Sequence, residues 1–496
     1  MRIVLLIDFG STYTKVLAVD IDHEVVVGRA QAVTTVEYDI TIGLDKALAE
    51  LFREHSINEH HIIAKYASSS AAGGLRLATI GLVPALTLEA AKRAAFGAGA
   101  KVVWSSGYEL DDEKVAEMER ASSDIILLSG GSDGGDKNVI VHNAKLIAGS
   151  RVTAPVVVAG NRVVANTVKQ ILEEGGKDVF VTSNVLPDLD SLNVEPAQAA
   201  IREIFMKHIS QAKGLNRAQE YVGDIVMPTP KATLQAAALL ADGTDAEPGI
   251  GSVLIVEVGG ATINIHSVAN GQPSDPQTIV KGLPEARVKR TVEGDLGIRY
   301  NAPSILEFLG SDNFLSRLES ILPESGLNSD ALTNLVNGLS KNVGYVPSSV
   351  LDQCIDRVLA ESAVAFAVGR HAGTMKLEFS LAGEVKVQKG KDLTRTQNVI
   401  CTGGIFKYGI ASEQIISSAL FDPRTPWSLR PKSPRTFVDS EYLLYGIGLL
   451  SEQYPTAALR IAKKYLKLID LETTSEAAAS IVRSPQATND SMIEHH

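Results

Sequence analysis

A short pattern, in which an apolar strand ends in an acid and the chain then turns on glycine, occurs twice in this chain. Residues 4–15 read Val-Leu-Leu-Ile-Asp-Phe-Gly-Ser-Thr-Tyr-Thr-Lys, and residues 253–266 read Val-Leu-Ile-Val-Glu-Val-Gly-Gly-Ala-Thr-Ile-Asn-Ile-His. In each copy the acid, Asp8 or Glu257, closes the strand. The glycines then leave the turn free of side chains, and hydroxyl residues open the return strand. Such a turn aims backbone N–H groups at an anion, while the carboxylate can hold a metal ion or a water. Two copies predict two related α/β units with a ligand in the cleft between them.

The duplication continues downstream. Each hairpin is followed by an apolar strand running into paired glycines, Ile125-Ile126-Leu127-Leu128-Ser129-Gly130-Gly131 in one half and Val399-Ile400-Cys401-Thr402-Gly403-Gly404 in the other. The gaps from acid to first paired glycine, Asp8 to Gly130 and Glu257 to Gly403, are similar. This spacing predicts one order of events in both halves.

The first half opens with three extended runs, 3–7, 12–19 and 24–30, which resemble a β-meander. Leu44, Leu48, Leu51 and Phe52 then recur at helical spacing, and 62–64 is extended again. This is the strand-strand-strand-helix-strand order of a ribonuclease-H-like unit. From 75 to 158, helix patterns at 88–96 and 114–119 alternate with strand patterns at 101–104 and 124–128, which predicts an α/β layer. Helices over 196–211 and 229–240 lead into a glycine, proline and acid cluster at 241–249, read as a boundary. The second half repeats the hairpin from 252 and carries helical material over 303–373. Within it, 355–368 is apolar nearly all round and is predicted to be buried. Helices at 442–450 and 457–468 follow. The predicted division is 1–250, a first unit with an α/β insertion; 251–470, a second unit with a helical insertion; and 471–496, a polar tail expected to be disordered.

Composition narrows the function classes. A chain of 496 residues with 45% apolar composition can bury large cores. Cys354 and Cys401 are its only cysteines, too few for a disulfide framework or a thiolate metal site, so a reducing, cytoplasmic setting is expected. The net charge of −11 comes without a basic block at either end, which disfavours nucleic acid. No apolar stretch reaches spanning length, so no membrane association is expected, and the run 3–7 is too short for a signal segment. The histidines at 495 and 496 read as the start of a purification tag and carry no weight.

Taken together, the acid-x-Gly-x-Thr hairpin at the start, the second in mid-chain and the late Thr-Gly-Gly strand end resemble the two phosphate motifs and the adenosine motif of the actin, sugar-kinase and heat-shock-ATPase superfamily. That resemblance implies ATP in an interdomain cleft and actin-like ATPase units on either side. Longer strings are more specific. Ala67-Ser68-Ser69-Ser70-Ala71-Ala72-Gly73-Gly74-Leu75-Arg76, Leu128-Ser129-Gly130-Gly131-Ser132-Asp133-Gly134-Gly135, Asn193-Val194-Glu195-Pro196, Lys289-Arg290-Thr291-Val292-Glu293-Gly294-Asp295-Leu296-Gly297 and Pro431-Lys432-Ser433-Pro434-Arg435 are similar to the glutamate mutase accessory family called MutL or GlmL. The resemblance spans residues 1 to about 469. It implies an ATP-dependent chaperone or reactivating factor for an adenosylcobalamin-dependent mutase.

One departure from the family pattern stands out. Relatives usually read Asp-Val-Gly-Gly-Ala-Thr-Thr-Asp at the second hairpin, whereas this chain has Glu257, Ile263 and Asn264 at the first Asp, the second Thr and the last Asp. The extra methylene of Glu257 shifts its carboxylate, and a misplacement of ~1 Å costs ~100-fold in rate. Asn264 removes a charge, and Cys401, where relatives commonly have glycine, is expected to crowd the adenine side. Hydrolysis is thereby put in question more than binding, and the pattern points to a divergent branch such as the one associated with ornithine aminomutase.

The resemblance and the motifs together select the candidate residues. Asp8 and Glu257 are the catalytic and magnesium-ligating acids. Gly10, Ser11, Thr12, Thr14 and Lys15 face the terminal phosphates from one side, Gly259, Gly260, Ala261 and Thr262 from the other, and Gly403 and Gly404 approach adenine or ribose. ATP or ADP and Mg2+ are the expected cofactors. Each feature has a plainer alternative: a hairpin acid bonding its own turn, a solvated strand-end Lys15, and glycines that merely start a helix. The loop Ser132-Asp133-Gly134-Gly135-Asp136 is expected on the cleft side only if the two halves correspond throughout, and no role is assigned to it. Asp295 is read as a partner contact, a metal ligand or, more simply, a helix cap. His266 is expected to be a packed imidazole, and Arg370 and His371 to meet helix-terminal carbonyls. Two further function classes remain open, a nucleotide-sensing scaffold without turnover and, behind it, a small-molecule kinase, for which no base motif is visible.

Overall fold

The computed structural model describes residues 1–471 apart from 11–12, 36–38, 56, 71–74, 190, 210–220, 224–225, 324, 381–382 and 409–410. The expected polar tail beyond 471 therefore lies outside the described residues, as do Ser11, Thr12 and the Ala71-Ala72-Gly73-Gly74 part of one family string.

The strand Ile3–Phe9 is buried at all seven positions, as a continuous apolar run must be when both faces of a sheet are covered. It pairs antiparallel with Tyr13–Asp20, which pairs antiparallel with Val25–Val33. On its other side Ile62–Ser69 runs parallel to it, and Val226–Pro228 runs parallel to that strand. The second half repeats the layout. Val253–Val258 is central, Ile263–Val268 and Val288–Glu293 follow antiparallel on one side, and Asn398–Thr402 and Arg435–Asp439 lie parallel on the other. Each sheet has the strand order of a ribonuclease-H-like fold, so the chain is an α/β protein built on a duplicated ribonuclease-H-like core.

The two sheets back onto a shared core. Val4, Leu6 and Leu17 from the first and Val253, Ile255 and Ile400 from the second meet Ala236, Leu240, Ile447 and Leu450 of the helices Thr229–Asp242 and Leu444–Ser451. On the outer face of the second sheet lies the helix Val350–His371, whose buried residues run from Cys354 to His371 on several sides, as its apolar pattern predicts. A helix was expected to continue to 468, but Pro455–Tyr465 ends earlier and Lys467–Ile469 forms an antiparallel edge strand beside Arg435–Asp439. Leu466 leaves the helix in an extended conformation.

A larger correction concerns the paired glycines. Ile125–Leu128 belongs to a separate five-stranded parallel sheet with Arg76–Gly81, Lys101–Gly107, Val156–Val158 and Val179–Val181, inserted between the fourth and fifth strands of the first unit. The counterpart of Asn398–Thr402 is Ile62–Ser69: Asp8 pairs with Ser68 as Glu257 pairs with Thr402. The similar gaps to Gly130 and Gly403 are coincidental. The loop 132–136 accordingly follows the central strand of the inserted sheet and does not line the cleft. Asn161 accepts from Gly134 N and donates to Gly135 O and Asp136 O, while Asn184 donates to Asp133. Among the described residues no helix is long and apolar enough to cross a membrane.

Candidate functional site

Both hairpins close with the same hydrogen bond. Gly10 N donates to Tyr13 O over 3.1 Å, and Gly259 N donates to Thr262 O over 3.0 Å. A Cβ on either glycine would lie 2.6 or 2.7 Å from that carbonyl, so only glycine lets the turn close without displacement. The two turns open on one cleft of about 870 Å3, within the range of small-ligand sites.

Asp8, Gly10 and Lys15 line this cleft from the first hairpin, Glu257, Gly259, Gly260, Ala261 and Thr262 from the second, and Gly404 from the late strand end. Thr14 does not. Strand alternation turns it inward between Tyr13 and Lys15, and its hydroxyl lies 3.1 Å from that of Thr34. The same alternation buries Ile263 at the matching place in the second hairpin. Gly403 is also set back. Its φ of +123° and a Cβ position 2.2 Å from Val258 O show that it serves a close backbone approach. Gly404 starts the five-residue helix Gly404–Tyr408, and a Cβ there would meet nothing within 4 Å.

Asp8, almost fully buried, accepts from Ser68 Oγ (3.0 Å) and Thr229 Oγ1 (2.6 Å) on Oδ1, while Lys15 Nζ lies 3.4 Å from Oδ2. Lys15 also stacks over the Tyr442 ring at 3.7 Å, so it is a packed cleft residue and not a loose strand end. Ser68 sits inside a recognisable string and Thr229 beside the fifth strand, yet neither was predicted as a site residue. Only the parallel register of the fourth and fifth strands brings both hydroxyls to Asp8.

Glu257 is held differently. Asn264 Nδ2 donates to its Oε2 over 3.1 Å, and His266 Nε2 stands 3.6 Å from the same oxygen. Burial alone would raise the Glu257 pKa, but His266, Arg290 and Lys15 hold it below the ordinary carboxylate value. Burial lowers the His266 pKa against the pull of Glu257, so the imidazole is a neutral, packed ring. Arg290 donates to Asn264 Oδ1 over 2.8 Å, and burial brings its pKa down to about 9. Sequence reading missed Arg290 as well, although it sits in a quoted string.

The remaining candidates are structural. Asp295 and Glu293 each accept from Arg370 Nη1 over 2.8 Å, so Asp295 is engaged in an ion pair with the end of the helix Val350–His371 and Arg370 reaches these acids. His371 bonds to Ser267 Oγ and Thr291 Oγ1 at 2.8 and 2.9 Å. Cys401 points into the second unit's core and not toward the cleft. Among the described residues no group of three or more His, Cys, Asp or Glu is placed to hold a metal ion. Two carboxylates at one cleft suit magnesium only when phosphate and water oxygens complete its shell.

A family model described as MutL protein matches residues 4–466. The protein MutL of Clostridium tetanomorphum is 44% identical over 462 residues, covering 93% of this chain and 98% of its own length. Among solved structures, nucleotide-free acetone carboxylase is 13% identical with a TM-score of 0.37, covering 91% of this chain and 70% of its own. The activator of 2-hydroxyisocaproyl-CoA dehydratase from Clostridium difficile with bound ADPNP is 11% identical with a TM-score of 0.32, covering 99% of this chain and 100% of its own.

Proposed function

The chain belongs to the MutL protein family, and from that premise we propose that it is an ATP-binding accessory protein of an adenosylcobalamin-dependent mutase, of the glutamate mutase or ornithine aminomutase type. The observation that carries this reading is the pair of matching glycine turns opening on one cleft, each with an acid at its root. The Gly10 and Gly259 N–H groups are taken by the bonds that close the turns, so the anion contacts come from the next N–H groups, Gly260 and Ala261 in the second hairpin, while Lys15 adds charge from the first and Asp8 and Glu257 hold magnesium together with phosphate oxygens. Gly404 leaves room for the nucleoside. A polyphosphate touched by both turns favours closure in proportion to its extra affinity for the closed state. That closure is the work available for loosening the mutase and releasing inactive cobalamin.

Incubating the protein with ATP, magnesium, adenosylcobalamin and a cobalamin-inactivated mutase is the direct test, with recovered activity expected. No recovery, and no complex on gel filtration, would count against the role. Titration with a fluorescent ATP analogue tests the cleft separately. A second reading, a nucleotide-sensing scaffold without turnover, is favoured by one observation: the Glu257 carboxylate is already engaged by Asn264. Tight binding with unchanged ATP after prolonged incubation would select it.

A further inference from the structure

Arg290 lies outside both hairpins, yet its side chain joins one of them to the inserted sheet. Pairing of Val288–Glu293 with Ile263–Val268 sets it opposite His266, and from there the buried guanidinium reaches two ways. Nη2 donates to Asn264 Oδ1 over 2.8 Å, and Nη1 donates to Phe96 O and Ala100 O over 2.8 and 3.1 Å. Phe96 is in the last turn of the helix Glu89–Gly97 of the insert, an end where carbonyls favour positive charge. Among the described residues its hydrogen-bond partners are all neutral. The charge of Glu257 acts on it through space, and the hydrogen-bonded link between the two runs through the Asn264 amide.

An amide is what this path requires. Asn264 accepts from Arg290 with Oδ1 and donates to Glu257 with Nδ2, whereas an aspartate at that place could not donate to a second carboxylate. Asn264 thus has a partner on each side. The insert meets the second unit again nearby, where Arg93 donates to Pro284 O and Glu285 Oε1 over 2.7 and 2.8 Å. Gly99 and Lys101, just after the same helix, line the cleft itself.

We propose that Arg290 is a positioning residue that couples occupancy of the second hairpin to the placement of the inserted sheet. Ligand drawing on Glu257 alters that acid's hold on Asn264, Arg290 follows Asn264, and the end of Glu89–Gly97 is gripped or released. This rests on the reading of the cleft as a nucleotide site, and it adds a route by which binding is felt on a surface of the molecule that the hairpins do not reach.

The test is hydrogen exchange in the full-length protein with and without ATP and magnesium, beside a titration with the fluorescent ATP analogue. In the wild type, exchange in Glu89–Gly97 should change about tenfold on saturation, within the usual range of coupling between sites. Arg290→Lys keeps a charge but cannot fork between Asn264 and two carbonyls. It should still bind the analogue and lose the change in exchange. Asn264→Leu cuts the same path at its other end and serves if Arg290→Lys does not fold. A folded variant that binds nucleotide and responds in full, or a wild type that binds and shows no response, overturns the coupling alone. A wild type that does not bind the analogue removes the nucleotide reading, and the coupling with it.

Discussion

At the scale of single residues, the two hairpin acids are matched in position but unequal in readiness. Asp8 has one oxygen fixed by two hydroxyls, Ser68 and Thr229, and the other facing Lys15 and the cleft. Glu257 is held by an amide. If the cleft takes magnesium with its nucleotide, Asp8 is the better placed of the two acids to hold it, and Asp8→Asn should then remove the dependence of analogue affinity on magnesium. In the wild type that dependence should be about tenfold or more, the worth of one hydrogen bond to a charged group at about 1.5 kcal/mol. Titrations in magnesium and in chelator check this, and an unchanged ratio in the variant would sink it. Lys391 supports a different prediction. Its wholly buried ammonium donates to Ser267 Oγ, Ala286 O and Arg287 O, and burial, aided by the charge of Lys289, lowers its pKa from 10.5 to about 7. Between those values the unfolded chain holds a proton that the folded chain has shed, so this group's contribution makes stability rise with pH. The cost is greatest below about pH 7. The slope is at most about 1.4 kcal/mol per pH unit. Denaturant unfolding of wild type and Lys391→Met across this window should show the wild type gaining on the variant as pH increases; parallel curves would exclude the effect.

Two elements are packed closely where the helices Thr229–Asp242 and Leu444–Ser451 cross. A Cβ on Gly448 would lie 1.8 Å from Ala232 O, a backbone atom that cannot rotate away. Gly448→Ala should therefore force the helices apart and cost about 1–3 kcal/mol, as overpacking does. Gly338, in the helix Ser329–Lys341, offers the contrast: a Cβ there meets nothing within 4 Å. Gly338→Ala should hold stability or raise it by up to about 1 kcal/mol through helix propensity. Thermal unfolding of the pair checks the sign of each. The hairpins were legible in the sequence because the turn is local: acid, glycine and return strand lie within eight residues. The inserted sheet was legible only as alternating helix and strand, since strand order depends on partners far apart in the chain. An apolar run ending in two glycines marks the end of almost any buried strand, which is why Gly130-Gly131 matched Gly403-Gly404 in the sequence and not in space. Thr14 was misread for a related reason, a hydroxyl residue in the right segment but on the wrong face. Arg290 carries no local signal, because its meaning lies in Phe96, Ala100 and Asn264 meeting around it.

Across the whole molecule, the shared core behind the two sheets leaves the cleft side as the place where they can approach each other, and the insert is fastened to the second unit beside that cleft. Arg93 and Arg290 make the fastening, one to Glu285 and the other to the helix end. If reactivation of a mutase uses movement of the insert relative to the second unit, nucleotide binding alone cannot suffice when that movement is blocked. Replacing Arg93 and Glu285 by cysteine and joining them with a short bifunctional thiol reagent places the block away from both hairpins. The native thiols offer little background, since Cys354 and Cys401 are both buried and burial raises the pKa of each, leaving little reactive thiolate. The cross-linked protein should bind the fluorescent analogue as the unlinked double variant does, and should fail to restore activity to a cobalamin-inactivated mutase that the unlinked form restores. Restoration at the full rate by the linked protein would show that the insert stays in place during the cycle, and the motion would then have to be sought between the two ribonuclease-H-like sheets alone.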